Sequence, residues 1–510
     1  MDKSEIVHEE VIPSKPGHGI SGSGAPGDVE LLRGSDTILI PTPSPDPKDP
    51  LNLPAYRKWI LLVLVSAYSC TSVVLCSGMG PIFSVVQAEY PGQEDRANDL
   101  LTYPTLFMGI GNLISMPFAL SIGRRPVFLA SMVLLVATGI WCACSQSLGS
   151  HIAGRNIMSL AAGQSEALSP AIVQEIHFLH ERGRKLAWFI FIQNVTAGVF
   201  FVVSTYMVSA WGWRWWYGFF TIMNAAVFVL SVVFVSESRY DRSPEDMRGE
   251  PKSPVEGQAE QYTPRTWRHD LSLFVVKPRW SIIPTFYKHV AQGLCIPITL
   301  WLLLLNGAFL GVYVFQSATF STILLAPPYS FAFTSLGSVQ AGQIVSCMIF
   351  LPLLGYGSDL TIRALTKRNH GLYRPEYRLP VIGIPAIVGV ICGIIYGQAG
   401  SSPEDWNVSA IVVGYNASFF AFLGANIVGI TYAVDSFPLR AEPFLVVICA
   451  GRGIISFGLS YATLPAVRSI GYDMTMVVEM VICAALAFLA VPMYVFGPRV
   501  RRAVQGWVGK

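Results

Sequence analysis

The chain has 510 residues, of which 52% are hydrophobic and 13% charged, against about 25% charged in an ordinary soluble domain. That much apolar surface would leave large exposed patches on a soluble fold, so it points to a lipid bilayer. The net charge of +3 implies no nucleic-acid partner.

Residues 1–58 are polar and include Pro41-Thr42-Pro43-Ser44-Pro45-Asp46-Pro47, which cannot be helical because proline lacks the N–H. They are expected to form a disordered cytoplasmic arm. No cleavable secretion signal is visible, and the first apolar run begins near Trp59, so that run has to act as the insertion signal. A helix needs about 20 apolar residues to cross the hydrocarbon layer. Twelve such runs occur. Spans 1–6 cover 59–80, 99–121, 126–145, 151–175, 186–210 and 215–236. Spans 7–12 cover 295–321, 336–358, 380–399, 408–433, 444–465 and 474–496. The expected fold is an all-α membrane protein with twelve transmembrane helices in two six-helix halves, 59–236 and 295–496. A polar, proline-containing segment, 237–294, reads as the cytoplasmic linker, and 497–510 as a short cytoplasmic tail.

Lysine and arginine set the orientation. With the N-terminus cytoplasmic, the outer side and outer span ends hold only Arg96, Arg155, Arg214 and Arg468 out of 35 basic residues. Trp211, Trp213, Trp215 and Trp216 then fall at an outer boundary, where tryptophan anchors at the headgroups. The nine cysteines form no CxxC or Cys/His cluster, so no metal or cofactor is expected.

Ionisable residues inside spans are expensive and usually face a cavity. In span 4, Glu166 follows Arg155 by eleven residues, which places both on one helix face about 16 Å apart, together with Ser159, Ala162 and Gly163. Glu166 reads as a proton site, as a counter-charge for a cationic substrate, or as a packing carboxylate. Arg452 and Asp435 read as members of ion pairs on the inner side. Glu479 sits near the outer end of span 12, from which it can snorkel to water.

Several local patterns recur in a fixed order. Asp49-Pro50-Leu51-Asn52 and Arg57-Lys58-Trp59 lead into span 1, and Gly123-Arg124-Arg125-Pro126 links spans 2 and 3. His180-Glu181-Arg182-Gly183 precedes span 5, and Gly212-Trp213-Arg214-Trp215 precedes span 6. Asn369-His370-Gly371 and Pro375-Glu376-Tyr377-Arg378-Leu379 precede span 9. With these patterns, over about 46–500, the chain resembles the major facilitator superfamily. Within it, the chain is most similar to the fungal twelve-span drug:proton antiporter group, on the histidinol/polyamine permease branch.

The resemblance implies alternating access between two halves. The superfamily's loop signature is a glycine, an aspartate four residues on, and a basic turn. In the first half only Gly123, Arg124 and Arg125 survive, with Met116 and Leu120 at the glycine and aspartate positions. In the second half Gly355, Asp359 and Arg363 remain, so the better cytoplasmic latch is expected there. Arg155 matches the span 4 arginine that the superfamily's antiporters use in proton transfer, although Met158 and Ser159 depart from the surrounding pattern. Spans 1, 4, 7 and 10 line the cavity in this family. Helical spacing then offers Tyr68 and Ser72 from span 1, Asn306, Leu310, Tyr313 and Ser317 from span 7, and Tyr415, Phe419, Phe422 and Asn426 from span 10. Such a lining suits amphipathic organic molecules or organic cations.

The resulting expectation is a secondary active transporter, not an enzyme. It would be proton-coupled, monomeric and in the plasma membrane, and would export a small amphipathic metabolite or drug. Its partners would be that substrate, protons and the bilayer, with no obligate protein partner. Two alternatives stay open: an uptake permease for polyamines or other organic cations, and a transporter-like nutrient receptor. No Walker motif is present. Asn407-Val408-Ser409 is a glycosylation sequon on the outer side, but it abuts span 10, where enzyme access is poor.

Overall fold

The computed structural model describes residues 32–33, 36–37, 41–242, 263–275, 277–369, 373–437 and 440–508. Apart from a two-residue ladder between Leu32–Arg33 and Asp36–Thr37, the described chain is helical or irregular.

The first half contains span 1 (Ala55–Ser77), span 2 (Asp99–Ile122) and span 3 (Arg124–Ala143). Span 4 comes in two pieces, Leu148–Ala162 and Gln164–Glu175, and is followed by span 5 (Leu179–Trp211) and span 6 (Trp213–Phe234). In the second half, span 7 is Pro297–Leu325. Span 8 runs from Leu336–Phe350 through a π-helical stretch, Leu351–Tyr356, into Gly357–Arg368. Span 9 is Gly383–Ser401, span 10 Val408–Ser436 and span 11 Ala441–Ile470. Span 12 is Tyr472–Phe488 continued by Ala490–Val508.

Ten of these stretches are long and apolar enough to cross a bilayer as single helices. The other two are spans 4 and 8, which are interrupted. The break in span 4 falls at Gly163, where the helix touches span 2 backbone to backbone. A Cβ at Gly163 would lie 2.5 Å from the Met108 carbonyl oxygen. Small residues permit this approach and large ones forbid it.

One apolar cluster gathers spans 1–6, and two large ones and a small one gather the second half. The halves meet along two seams. Span 2 packs on span 11, where the Tyr103 and Phe457 rings are 5.5 Å apart. Span 5 packs on span 8, and the Thr205 hydroxyl donates at 3.3 Å to the carbonyl of Thr334, just before span 8. Val446, Val447 and Ala450 of span 11 join the first-half cluster, so the span 2–span 11 seam is an apolar joint.

Three features differ from the sequence expectation. From residue 41 the N-terminal arm is pinned rather than loose. Asp49 is fully buried, accepts from the Leu51 and Ser44 amides at 2.8 and 3.0 Å, and pairs with Arg242 at 2.5 Å. Span 12 continues as helix beyond 496 because Arg501, fully buried, is neutralised by Glu376 at 2.8 Å. The Trp cluster divides, with Trp211 and Trp215 exposed and Trp213 and Trp216 buried. Within the linker, an amphipathic helix, Ile282–Leu294, lies across the span 2–span 11 seam.

Candidate functional site

The charged centre of the bundle joins the two halves. Glu166, on the second piece of span 4, pairs with Arg452 of span 11 at 2.5 Å. The second Nη of Arg452 donates to Asn426 Oδ1 on span 10, and its guanidinium carbon lies 5.8 Å from the Phe422 ring centroid. Arg452 is about 16 Å in from the start of its helix, so this pair sits deep in the membrane and not at the inner surface. Such depth is tolerable only because the opposite charge is in contact.

Beside the pair stands an aromatic wall from spans 7 and 10. Tyr313 stacks on Phe422 at 6.1 Å and 3°, and on Tyr415 at 5.6 Å and 19°. Phe419 lies 5.2 Å from Tyr313. The Gln343 amide donates to the Tyr313 and Tyr415 hydroxyls at 3.0 Å each, and the Gln340 amide donates to Tyr415 at 3.2 Å. These two glutamines belong to span 8 and were not anticipated. The available signal was two amides three residues apart in an apolar run, which puts them on one helix face. Asn306 is fully buried; its amide donates to Leu302 O at 2.8 Å, while its Oδ1 has no partner. The neighbouring Gly307 packs on span 11 at the level of the ion pair, where a Cβ would lie 3.4 Å from Arg452 Cα.

The span 1 residues do not reach this seam. The Tyr68 hydroxyl sits 3.0 Å from both Ser131 Oγ and Ala161 O inside the first half, with its ring edge-on to Phe128. Ser72 donates to Tyr68 O at 2.8 Å. Both residues are fully buried, and their hydroxyls take acceptors within their own half.

Arg155 also looks inward to its own half. It is fully buried and donates to Leu100 O at 2.9 Å, Leu75 O at 3.2 Å, Cys76 O at 2.7 Å and the Tyr217 hydroxyl at 2.7 Å. It therefore ties span 4 to spans 1, 2 and 6 through neutral partners. The shared face read from helical spacing does not give Arg155 and Glu166 a shared environment.

The loop between spans 2 and 3 keeps acidic partners despite its lost aspartate. Gly123 has a left-handed φ of +122°, which favours glycine. Arg124 bridges Glu175 of span 4 at 2.5 Å and Glu442 of span 11 at 3.4 Å, so its charge links the halves. The Glu237 carboxylate accepts from the Arg124 and Arg125 amides at 2.9 and 3.1 Å and so caps span 3. Arg125 donates to the carbonyls of Val235, Val232, Leu271 and Ser272. The first-half loop, expected to be the weaker, thus pairs with an acid in each half. In the second half, the side chains of Gly355 and Asp359 lie outside the described residues, and Arg363 is exposed. Asp435 pairs with Arg378 at 2.7 Å, so it is a member of an ion pair, as expected. Glu479 does not snorkel; it is buried, hydrogen-bonded by Thr463, and its Oε2 has no partner. Asn407 is exposed and caps span 10 by accepting from the Ser409 amide at 3.0 Å.

Comparison with known proteins agrees with this geometry. The family description Major Facilitator Superfamily matches residues 60–442. An uncharacterised MFS-type transporter of Schizosaccharomyces pombe is 23% identical, over 94% of this chain and 90% of its own length. MFS-type transporter penM of Penicillium rubens is 24% identical, over 93% of each chain. Efflux pump radE of Floropilus chiversii is 21% identical, over 94% of this chain and 89% of its own. Among solved structures, the proton:xylose symporter XylE shares the fold with a TM-score of 0.60 at 14% identity, covering 87% of this chain and 96% of its own. The family match over most of the chain makes it a multi-pass membrane transporter of the major facilitator superfamily.

Proposed function

We propose that this chain is a proton-coupled exporter of a small amphipathic organic compound, working by alternating access in the plasma membrane with both termini in the cytoplasm. The observation that carries the reading is the Glu166–Arg452 pair, a charged contact between the halves deep in the bundle. Separating the halves there must break it, and a proton on Glu166 lowers the cost of doing so. The wall of Tyr313, Tyr415, Phe419 and Phe422 beside the pair offers flat apolar faces with a few hydroxyls and amides, which suits an amphipathic cargo. A relative named as an efflux pump supports the outward direction. The basic loops on the face bearing the termini support the orientation. In this reading Arg155 positions span 4, and Glu166 carries the coupling proton.

The test is retention of a fluorescent amphipathic dye by cells that express the chain. Expression should lower retention, and a protonophore should restore it. Glu166→Gln should abolish the gradient-dependent part. Lower retention that ignores both the protonophore and the substitution would overturn the reading. Higher retention on expression, still sensitive to the protonophore, would favour the uptake alternative.

A further inference from the structure

We infer that a cavity at the membrane edge of the first half is a site for a glycerophospholipid of net negative charge, with its phosphate at Arg57. The cavity, about 150 Å³, lies between the start of span 1, the end of span 6 and a short linker helix, Trp267–Leu271. No residue of spans 2, 5, 8 or 11, which make the two seams, lines it. The inference needs neither the direction of transport nor its coupling.

Aromatic residues set the depth of this cavity. Tyr56, Trp59 and Trp267 are exposed at this end of the bundle, and such rings sit at the level of the headgroups. Beside them, Val233 and Phe234 of span 6 line the cavity and are themselves exposed, so its apolar wall opens sideways towards acyl chains. The polar wall carries surplus positive charge. Arg57 donates to Asp270 Oδ2 at 2.8 Å, and Arg265 donates to Asp270 Oδ1 at 2.8 Å. Two guanidinium groups thus share one carboxylate, both of whose oxygens are taken. Arg265 Nη1 is buried with no hydrogen-bond partner, and the Arg57 side chain is 30% exposed.

A phosphate diester beside Arg57 answers that surplus, because guanidinium and phosphate match in charge and geometry. A phosphocholine headgroup would bring a second cation to the same wall. The ring face that could receive its ammonium is occupied, since Arg57 Cζ lies 5.3 Å from the Trp267 centroid. A free phosphate would leave the apolar wall of Ile60, Val233 and Phe234 without a partner, whereas an acyl chain covers it. The bound headgroup would join span 1 to the linker helix. The carbonyls of Leu271 and Ser272, at the end of that helix, already accept from Arg125 of span 3. The lipid therefore fastens the linker to the bundle from the bilayer side.

Native mass spectrometry on the delipidated, purified full-length protein tests this by titration with dioleoyl phosphatidylglycerol or dioleoyl phosphatidylcholine. The first phosphatidylglycerol should bind about tenfold more tightly than the first phosphatidylcholine. Arg57→Gln should weaken phosphatidylglycerol binding about tenfold and change phosphatidylcholine binding by less than about twofold. Arg499→Gln, at an exposed basic residue of the C-terminal tail, should change neither, which separates a built site from a generally basic surface. If Arg57→Gln does not fold, Val233→Trp carries the test. It fills the exposed mouth of the cavity and leaves both arginines in place, so phosphatidylglycerol affinity should again fall about tenfold. Equal affinity for the two lipids, an equal loss in Arg499→Gln, or unchanged binding in whichever site variant folds would overturn the inference. So would displacement of the lipid by inorganic phosphate at comparable concentration, which would mark a site for a soluble anion. Protonophore-sensitive efflux could survive any of these results, so failure here is distinguishable from failure of the transport reading.

Discussion

Glu166 and Arg452 illustrate how much one contact can decide at the scale of single residues. Each is a charge in an apolar helix, and each is tolerable because of the other. Removing one partner should cost about 3–5 kcal/mol, because it strands a buried charge. The paired change Glu166→Gln with Arg452→Met should recover most of that loss, since no lone charge is then left behind. Thermal unfolding of the two single variants and the double variant in detergent measures the coupling. Additive losses in the double variant would mean that the two residues do not act as a pair. Glu166, Arg452 and Asn426 could each be seen in the sequence as polar residues in apolar runs. Their pairing could not, because it joins helices almost three hundred residues apart and depends on how two halves dock. Arg155 was visible for the same reason, but three of its four neutral partners are backbone carbonyls, which leave no signature in the side-chain sequence.

At the scale of the helix, the apolar runs revealed the spans because hydrocarbon thickness fixes their length. What they hid was interruption. Span 4 reads as one run from 151 to 175, yet it divides at Gly163 where the span 2 backbone comes close. A leucine there would have to push aside the Met108 carbonyl, so Gly163→Leu should separate spans 2 and 4 and destabilise the protein by about 1–3 kcal/mol. Gly163→Ala should be milder but still harmful. A fluorescence-detected melting series on the purified variants checks this order, and an unaffected leucine variant would show that the two helices do not need their contact. From residue 41 the arm before span 1 is held by contacts that its prolines, which only exclude a helix, do not reveal. Asp49 meets Arg242 almost two hundred residues later, a contact that no local pattern contains.

On the scale of the whole molecule, two seams hold the halves together, and one of them has an electrostatic clasp at its end. Arg124 reaches Glu175 within its own half and Glu442 in the other. Glu442 is the part of this clasp that crosses between the halves, and it is partly exposed, so its loss should disturb gating more than folding. Glu442→Gln should raise the rate at which a membrane-impermeant thiol reagent labels a cysteine placed at Thr105 on the span 2 side of the seam, measured in inside-out vesicles. Equal labelling rates with and without the substitution would deny the clasp a gating role. The duplicated plan of two six-helix halves could be read from the order of the runs. The closed seam between them could not, since it is made by residues such as Ala450 and Val447 that look like any other buried apolar positions.

The helix Ile282–Leu294 gives the connection between the halves a mechanical character. It touches span 2 through the Tyr287 hydroxyl, 3.0 Å from Leu113 O, and span 11 through Gly293 beside Phe444 and Val447. It therefore lies on both sides of the joint that the proposed alternating access would open. A slack cord would let the two halves drift to any separation. A rigid strut seated on both must slide or lift at one footing whenever they part, and the footing that yields first fixes how far this face can open.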